Sequence, residues 1–134
     1  MDDVLEQIKE LAVDVYEKLG VGHLEAPYQK AMEVGLRLRG LKFDAQRVVE
    51  IMYAGHFVGY CILDLLVDGR ILIELKSITC LGEPDRLQLI KYMQLADIAT
   101  GVLINFPQLG RSKGSLIAEV PEIEVLGDHG DDVR

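Results

Sequence analysis

Ile62-Leu63-Asp64-Leu65-Leu66-Val67-Asp68-Gly69-Arg70-Ile71-Leu72-Ile73-Glu74-Leu75-Lys76 is the stretch that decides how this chain is read. Two apolar runs flank an Asp-Gly turn signal, so the segment predicts a β-hairpin. Asp64, Glu74 and Lys76 interrupt those runs. Packing alone explains them poorly, because burying an unpaired charge costs roughly several kcal/mol. Two carboxylates beside an ammonium could instead hold a hard divalent cation with a cationic side chain next to it.

Register decides whether the three groups can meet. Glu74 and Lys76 are two apart on one strand and share a face. A two-residue loop at Asp68-Gly69 would pair Val67 with Arg70 and send Asp64 to the opposite face. A three-residue loop, Asp68-Gly69-Arg70, pairs Val67 with Ile71 and sets Asp64 opposite Glu74, with Cβ atoms roughly 5 Å apart. The expectation is the three-residue loop with Gly69 left-handed; a bend or bulge in the preceding strand could also correct the facing. The bland alternative is a solvated polar stripe in which Lys76 neutralises one acid.

Outward from the hairpin, residues 3–19 place Leu5, Ile8, Leu11, Ala12, Val15 and Leu19 at helical spacing, and Gly20 stops the run. A second helix is expected from about Leu24 to Arg39, with Pro27 in its first turn, Gly40 as its stop, and Tyr28, Ala31, Met32, Gly35 and Leu38 facing inward. Residues 46–53 read as a strand, with a turn at Ala54-Gly55 before the strand at 57–67. Residues 71–76 complete a three-strand meander. A helix opens near Pro84 and runs through Leu87, Ile90, Tyr92 and Leu95. Residues 101–106 are a continuous apolar strand covered on both faces, and a last strand or extension falls around 115–126. Residues 1–126 form one domain, and an acidic tail, 127–134, is expected to be disordered. This order gives an α/β fold with a mixed sheet, an antiparallel meander plus a crossover strand, flanked by helices.

Composition agrees with a single domain: 134 residues, 49% of them hydrophobic, support one core. No apolar run reaches a membrane span, so no membrane association is expected. The Met1-Asp2-Asp3 start lacks a basic signal-peptide end, so a cytoplasmic location is expected. Cys61 and Cys80 have neither CxxC nor zinc spacing and read as free thiols. A net charge of −8, of which the tail supplies −2, weighs against a large phosphate-binding surface.

Three further features bear on the trio. Glu25 opens the second helix in Gly22-His23-Leu24-Glu25-Ala26-Pro27-Tyr28, a position where an acid often only complements the helix dipole. Gln88 and Tyr92 are i and i+4 on one helix and share a face. Gly110-Arg111-Ser112-Lys113-Gly114 is a connector or a basic loop able to grip a phosphate, although it lacks Walker spacing. Ser77, Ser112 and Ser115 have no base nearby in sequence, which argues against serine nucleophile chemistry.

Taken in order, Gly22-x-x-Glu25-x-x-Tyr28, Asp64, Glu74-x-Lys76 and Gln88-x-x-x-Tyr92 resemble the GxxExxY proteins, a branch of the PD-(D/E)XK nuclease superfamily. The likeness covers about residues 5–120. It implies a restriction-endonuclease-like αβββαβ core and divalent-metal cleavage of phosphodiesters in nucleic acid, with DNA as the expected substrate. It also implies roles. Asp64, Glu74 and the Leu75 carbonyl would bind Mg²⁺ or Mn²⁺, and Glu25 would approach the metal directly or through water. Lys76 would orient or deprotonate the attacking water, and Gln88 and Tyr92 would position phosphate or water. His23 and Pro84-Asp85-Arg86 depart from the family's usual residues. The alternative is a catalytically silent nuclease-fold module in a larger assembly. A domain this small would otherwise grip a duplex alone, which leaves room for a homodimer or a protein partner.

Overall fold

A computed structural model describes residues 3–108 and 120–127. The elements are α1 (Asp3–Leu19), α2 (Glu25–Leu38), β1 (Phe43–Tyr53), β2 (His56–Val67), β3 (Ile71–Lys76), α3 (Glu83–Ala96), β4 (Thr100–Asn105) and β5 (Glu122–Gly127). They form one five-stranded sheet in the order β1-β2-β3-β4-β5. The meander β1-β2-β3 is antiparallel, β4 joins β3 in parallel after the α3 crossover, and β5 returns antiparallel to β4. This is the expected α/β architecture, and the last strand expected around 115–126 is β5 at the far edge.

The hairpin register is the one that brings the acids together. Val67 pairs with Ile71, Leu66 with Leu72 and Leu65 with Ile73. Asp68 and Gly69 both take positive φ, +56° and +66°, and the Arg70 N–H donates to the Val67 carbonyl at 3.1 Å. Asp and Gly are the residues that accept this left-handed backbone at least cost. The Ala54-Gly55 turn is likewise left-handed at both residues.

Alternation on β3 splits the chemistry from the core. Ile71, Ile73 and Leu75 face α1 and α2, in a cluster with Ile8, Leu11, Val15, Tyr28, Met32, Leu36, Ile104 and Phe106. Leu72 faces α3, with Leu63, Leu89, Met93 and Leu103. Glu74 and Lys76 follow Leu72 on that side by the period of two. The α1–α2 contact is close: a Cβ on Gly35 would lie 2.1 Å from a Leu11 methyl.

The expected inward face of α2 holds at Tyr28, Ala31, Met32 and Gly35. Leu36 is fully buried while Leu38 is 83% exposed, so Leu38 is corrected from inward to outward. The buried set also includes Gln29 and Glu33. β1 begins at Phe43, earlier than residue 46, because Phe43, Asp44 and Ala45 are drawn into the sheet opposite Val67, Leu66 and Leu65. β5 reaches Gly127, where the tail was expected to start. The 110–114 loop, residues 115–119 and the tail 128–134 lie outside the described residues. Among the described residues, no helix is long and apolar enough to cross a membrane.

Candidate metal and active site

The sheet forks where the acids sit. β3 stays paired with β4 as far as Lys76↔Asn105, but its pairing with β2 ends at Leu65↔Ile73. Beyond that point a side chain replaces the ladder: the Leu75 N–H donates to Asp64 Oδ2 at 2.7 Å. β1 is irregular at the same level. Ala45 pairs with Leu65 and Arg47 with Leu63, while Gln46 between them has φ +56°. Leu65 packs into the α1/α2 core and Leu63, two residues away, into the α3 core. The strand therefore turns over around Asp64. This twist, together with the hairpin register, opens a wedge between β2 and β3 that holds both carboxylates.

Glu74 is buried, at 5% exposure. Burial first, then a hydrogen bond with the Asp64 carboxylate and its negative charge, push the Glu74 carboxyl up to about 10, against a smaller pull downward from Lys76. At neutral pH Glu74 thus keeps its proton, as a buried carboxyl beside a negative charge does. Glu74 Oε1 is buried and has no hydrogen-bond partner. An orphaned carboxylate oxygen beside a second carboxylate is the chemistry a hard cation completes. Mg²⁺ needs only one or two protein carboxylates and keeps several waters. The donor set fits such an ion on those terms; among the described residues, no three His, Cys, Asp or Glu side chains converge into a closed cage.

Lys76 Nζ donates to Gln88 Oε1 at 2.8 Å and lies 3.9 Å from Asp85 Oδ1. Gln88 thus reaches the trio from α3, as expected. Tyr92, one turn on, packs against the α3 core cluster. Burial, then the nearby charge of Glu74 with Cys61 and Asp64 behind it, raise its phenol. Glu25 is exposed as a residue, yet desolvation first and the charge of Asp64 second raise its carboxyl, while Lys76 lowers it. These fields place Glu25 at the rim of the same wedge. Its helix start is held there by the preceding loop: the His23 carbonyl accepts from Ser77 Oγ at 2.7 Å and from Gln108 Nε2 at 2.8 Å.

Other residues serve the site without having been marked for it. Gln29, one turn after Glu25 on α2, is buried; its Nε2 donates at 3.0 Å to both the Asp64 carbonyl and Glu33 Oε2. The i+4 spacing from Glu25 was the available signal. A cleft of about 430 Å³ lined by Glu25, Ala26, Gln29, Lys30, Gln46 and Asp64 opens beside these groups. The charged Asp85-Arg86 pair has structural partners: Asp85 Oδ2 accepts the Gly82 N–H at 2.9 Å at the start of α3, and Arg86 grips Glu124 of β5 at 2.6 and 2.9 Å. Buried Asn105 fixes the loop after β3 through Ile78 N–H (2.9 Å), Ile78 O (3.1 Å) and Glu122 Oε1 (2.6 Å). Cys61 and Cys80 are free, as expected. Burial and the Glu74 charge raise the Cys61 thiol, which leaves it unreactive. His23 is exposed, with Nε2 2.9 Å from the Leu19 carbonyl.

An antiparallel meander, a helical crossover into a parallel strand, and acids at the fork of the hairpin together define a restriction-endonuclease-like domain. Comparison with known families makes the class specific. A family model described as the PD-(D/E)XK nuclease superfamily matches residues 2–116, and the chain belongs to that superfamily. No curated protein matches. Among solved structures, one titled "Crystal structure of SSO0001" is similar in fold, with a TM-score of 0.54 at 16% identity over 78% of this chain. The chain spans 50% of that protein's length.

Proposed function

We propose that this protein is a Mg²⁺- or Mn²⁺-dependent nuclease of the GxxExxY branch that hydrolyses phosphodiester bonds in DNA. The observation that carries the reading is the buried Glu74, which stays protonated beside Asp64 and keeps one oxygen without a partner. In this reading Asp64, Glu74 and the Leu75 carbonyl hold the ion, and Glu25 reaches it through water. The ion supplies charge neutralisation at the scissile phosphate. Lys76, anchored by Gln88, orients the attacking water or helps to deprotonate it, and balances charge on the transition state. Gln88 and Tyr92 position the phosphate from α3.

The test is incubation with Mg²⁺ or Mn²⁺ and labelled single- and double-stranded DNA, with RNA in parallel. Cleavage by the wild type that is lost in Glu74→Ala and Lys76→Ala supports catalysis. A net charge of −8 favours a second reading, a nuclease-fold module that binds a partner without cutting. A wild type as inert as both variants, yet able to bind a protein partner, would establish it.

A further inference from the structure

The distal half of the β1–β2 hairpin carries an apolar face that the fold does not cover. Val48, Glu50 and Met52 alternate on β1, opposite Ile62, Tyr60 and Phe57 of β2. Directly opposed residues point to the same side of a sheet, so Val48, Ile62, Glu50 and Tyr60 share one face, and the bulge between Ile51 and Met52 brings Phe57 opposite Met52 at its end. The other face is occupied, because Val49 and Cys61 pack into the cluster beneath α3. On the open face the five apolar side chains are between 41% and 58% exposed. A patch of this kind on a small domain marks an interaction surface.

We infer that this face is the interface of an isologous homodimer, packed hairpin against hairpin across a twofold axis. Its size supports a second copy. Five large side chains of roughly 200 Å² each, about half exposed, offer on the order of 500 Å² per chain. A standard interface buries roughly 800 Å² per partner, about 65% of it apolar in homodimers, which also comes to roughly 500 Å². Its chemistry excludes a polyanion or an anionic membrane as the occupant. The one charged residue on the face is Glu50, and the neighbouring cation Arg47 is engaged with Asp44 at 3.4 Å. β1 is also an edge strand eleven residues long, so its outer main-chain groups border the same surface. An apolar face of this size is matched by the same face of a second copy across a twofold axis.

Self-association does not rest on the nuclease reading.

Sedimentation velocity of the full chain from roughly 1 to 100 μM, without metal or nucleic acid, tests the interface. The wild type is expected near twice the chain mass of 14.9 kDa. Tyr60→Lys combined with Ile62→Lys is expected to run as a monomer with unchanged circular dichroism and a cooperative melt. The milder Tyr60→Ser should weaken dimerisation at least tenfold, which keeps the test valid if the double variant fails to fold. Leu87→Lys, on α3, should leave the dimer intact. A wild type that is monomeric throughout, or a dimer that both hairpin variants preserve, overturns the proposal. So does a monomer whose Tyr60→Ser form loses binding to a single-stranded oligonucleotide, which would assign the face to base stacking.

Discussion

Replacing Glu74 with Gln should make the metal-free protein more stable at alkaline pH, and the size of the effect follows from the site. In the folded chain the Glu74 carboxyl titrates at about 10, against an ordinary value of 4.5. The native state therefore keeps a proton that the unfolded chain releases above pH 4.5. The stability linked to that proton is fully present below pH 4.5 and is lost as pH rises toward 10, at about 1.4 kcal/mol per pH unit. Between pH 6 and 8.5 the wild type should lose roughly 3 kcal/mol through this group alone. For a domain of this size that is roughly a 10 °C fall in Tm. Gln matches the neutral acid in size, can donate to Asp64 and cannot ionise, so Glu74→Gln should lack this slope. The assay is thermal and urea denaturation of both proteins in EDTA from pH 5 to 8.5. The two chains differ at this one side chain, so the difference between their curves isolates Glu74. Parallel stability curves would refute the reasoning, because Glu74 would then be charged in the native state. Added Mn²⁺ should stabilise the wild type increasingly as pH rises, by taking the proton's place, and should do little for the variant.

Three other outcomes are expected. Lys76→Met should lower DNA cleavage at least roughly 100-fold, the usual loss when a proton-transfer group is removed, while calorimetric Mn²⁺ affinity stays equal or tightens. Gln29→Leu breaks the link to the Asp64 carbonyl and should weaken Mn²⁺ binding about tenfold, as second-layer substitutions do at metal sites. Its melting curve should stay cooperative. Asn105→Ala removes three hydrogen bonds from a fully buried side chain and should cost about 3 kcal/mol in urea denaturation.

The hairpin was legible because its turn chemistry and its alternation agree. Asp68-Gly69 accepts left-handed backbone, and Ile71, Ile73 and Leu75 alternate cleanly with Leu72, Glu74 and Lys76. Residues 3–19 were equally plain, having helical spacing and a glycine stop. The face of α2 was legible except in its last turn, because Leu36 and Leu38 are both good core candidates by type. The choice is made by the approach of Gly35 to Leu11, a contact between helices that no local pattern encodes. Gln46 has an ordinary residue type in a left-handed conformation, so the irregularity beside Asp64 leaves no mark in the sequence. Phe43-Asp44-Ala45 has weak strand propensity and enters β1 only through pairing with β2. Gln29 escaped notice because a polar residue beside Tyr28 reads as surface until the strand it anchors is in view.

Glu74 also says something about how this fold would drift. Its side chain lies on the opposite side of β3 from Ile71, Ile73 and Leu75, so replacing it leaves the main core untouched. A neutral or apolar residue there would relieve a buried acid of its unsatisfied oxygen and strengthen the domain. Selection for a sturdier fold alone would therefore tend to remove this acid, and nothing in the packing would resist the change. On the proposed metal-binding role, a chain that keeps Glu74, with Asp64 beside it and Lys76 held at its edge, would accept a weaker resting state for the sake of the ion it binds. The same separation of core from acids would let a related chain lose cutting in one substitution and remain a well-folded binding protein.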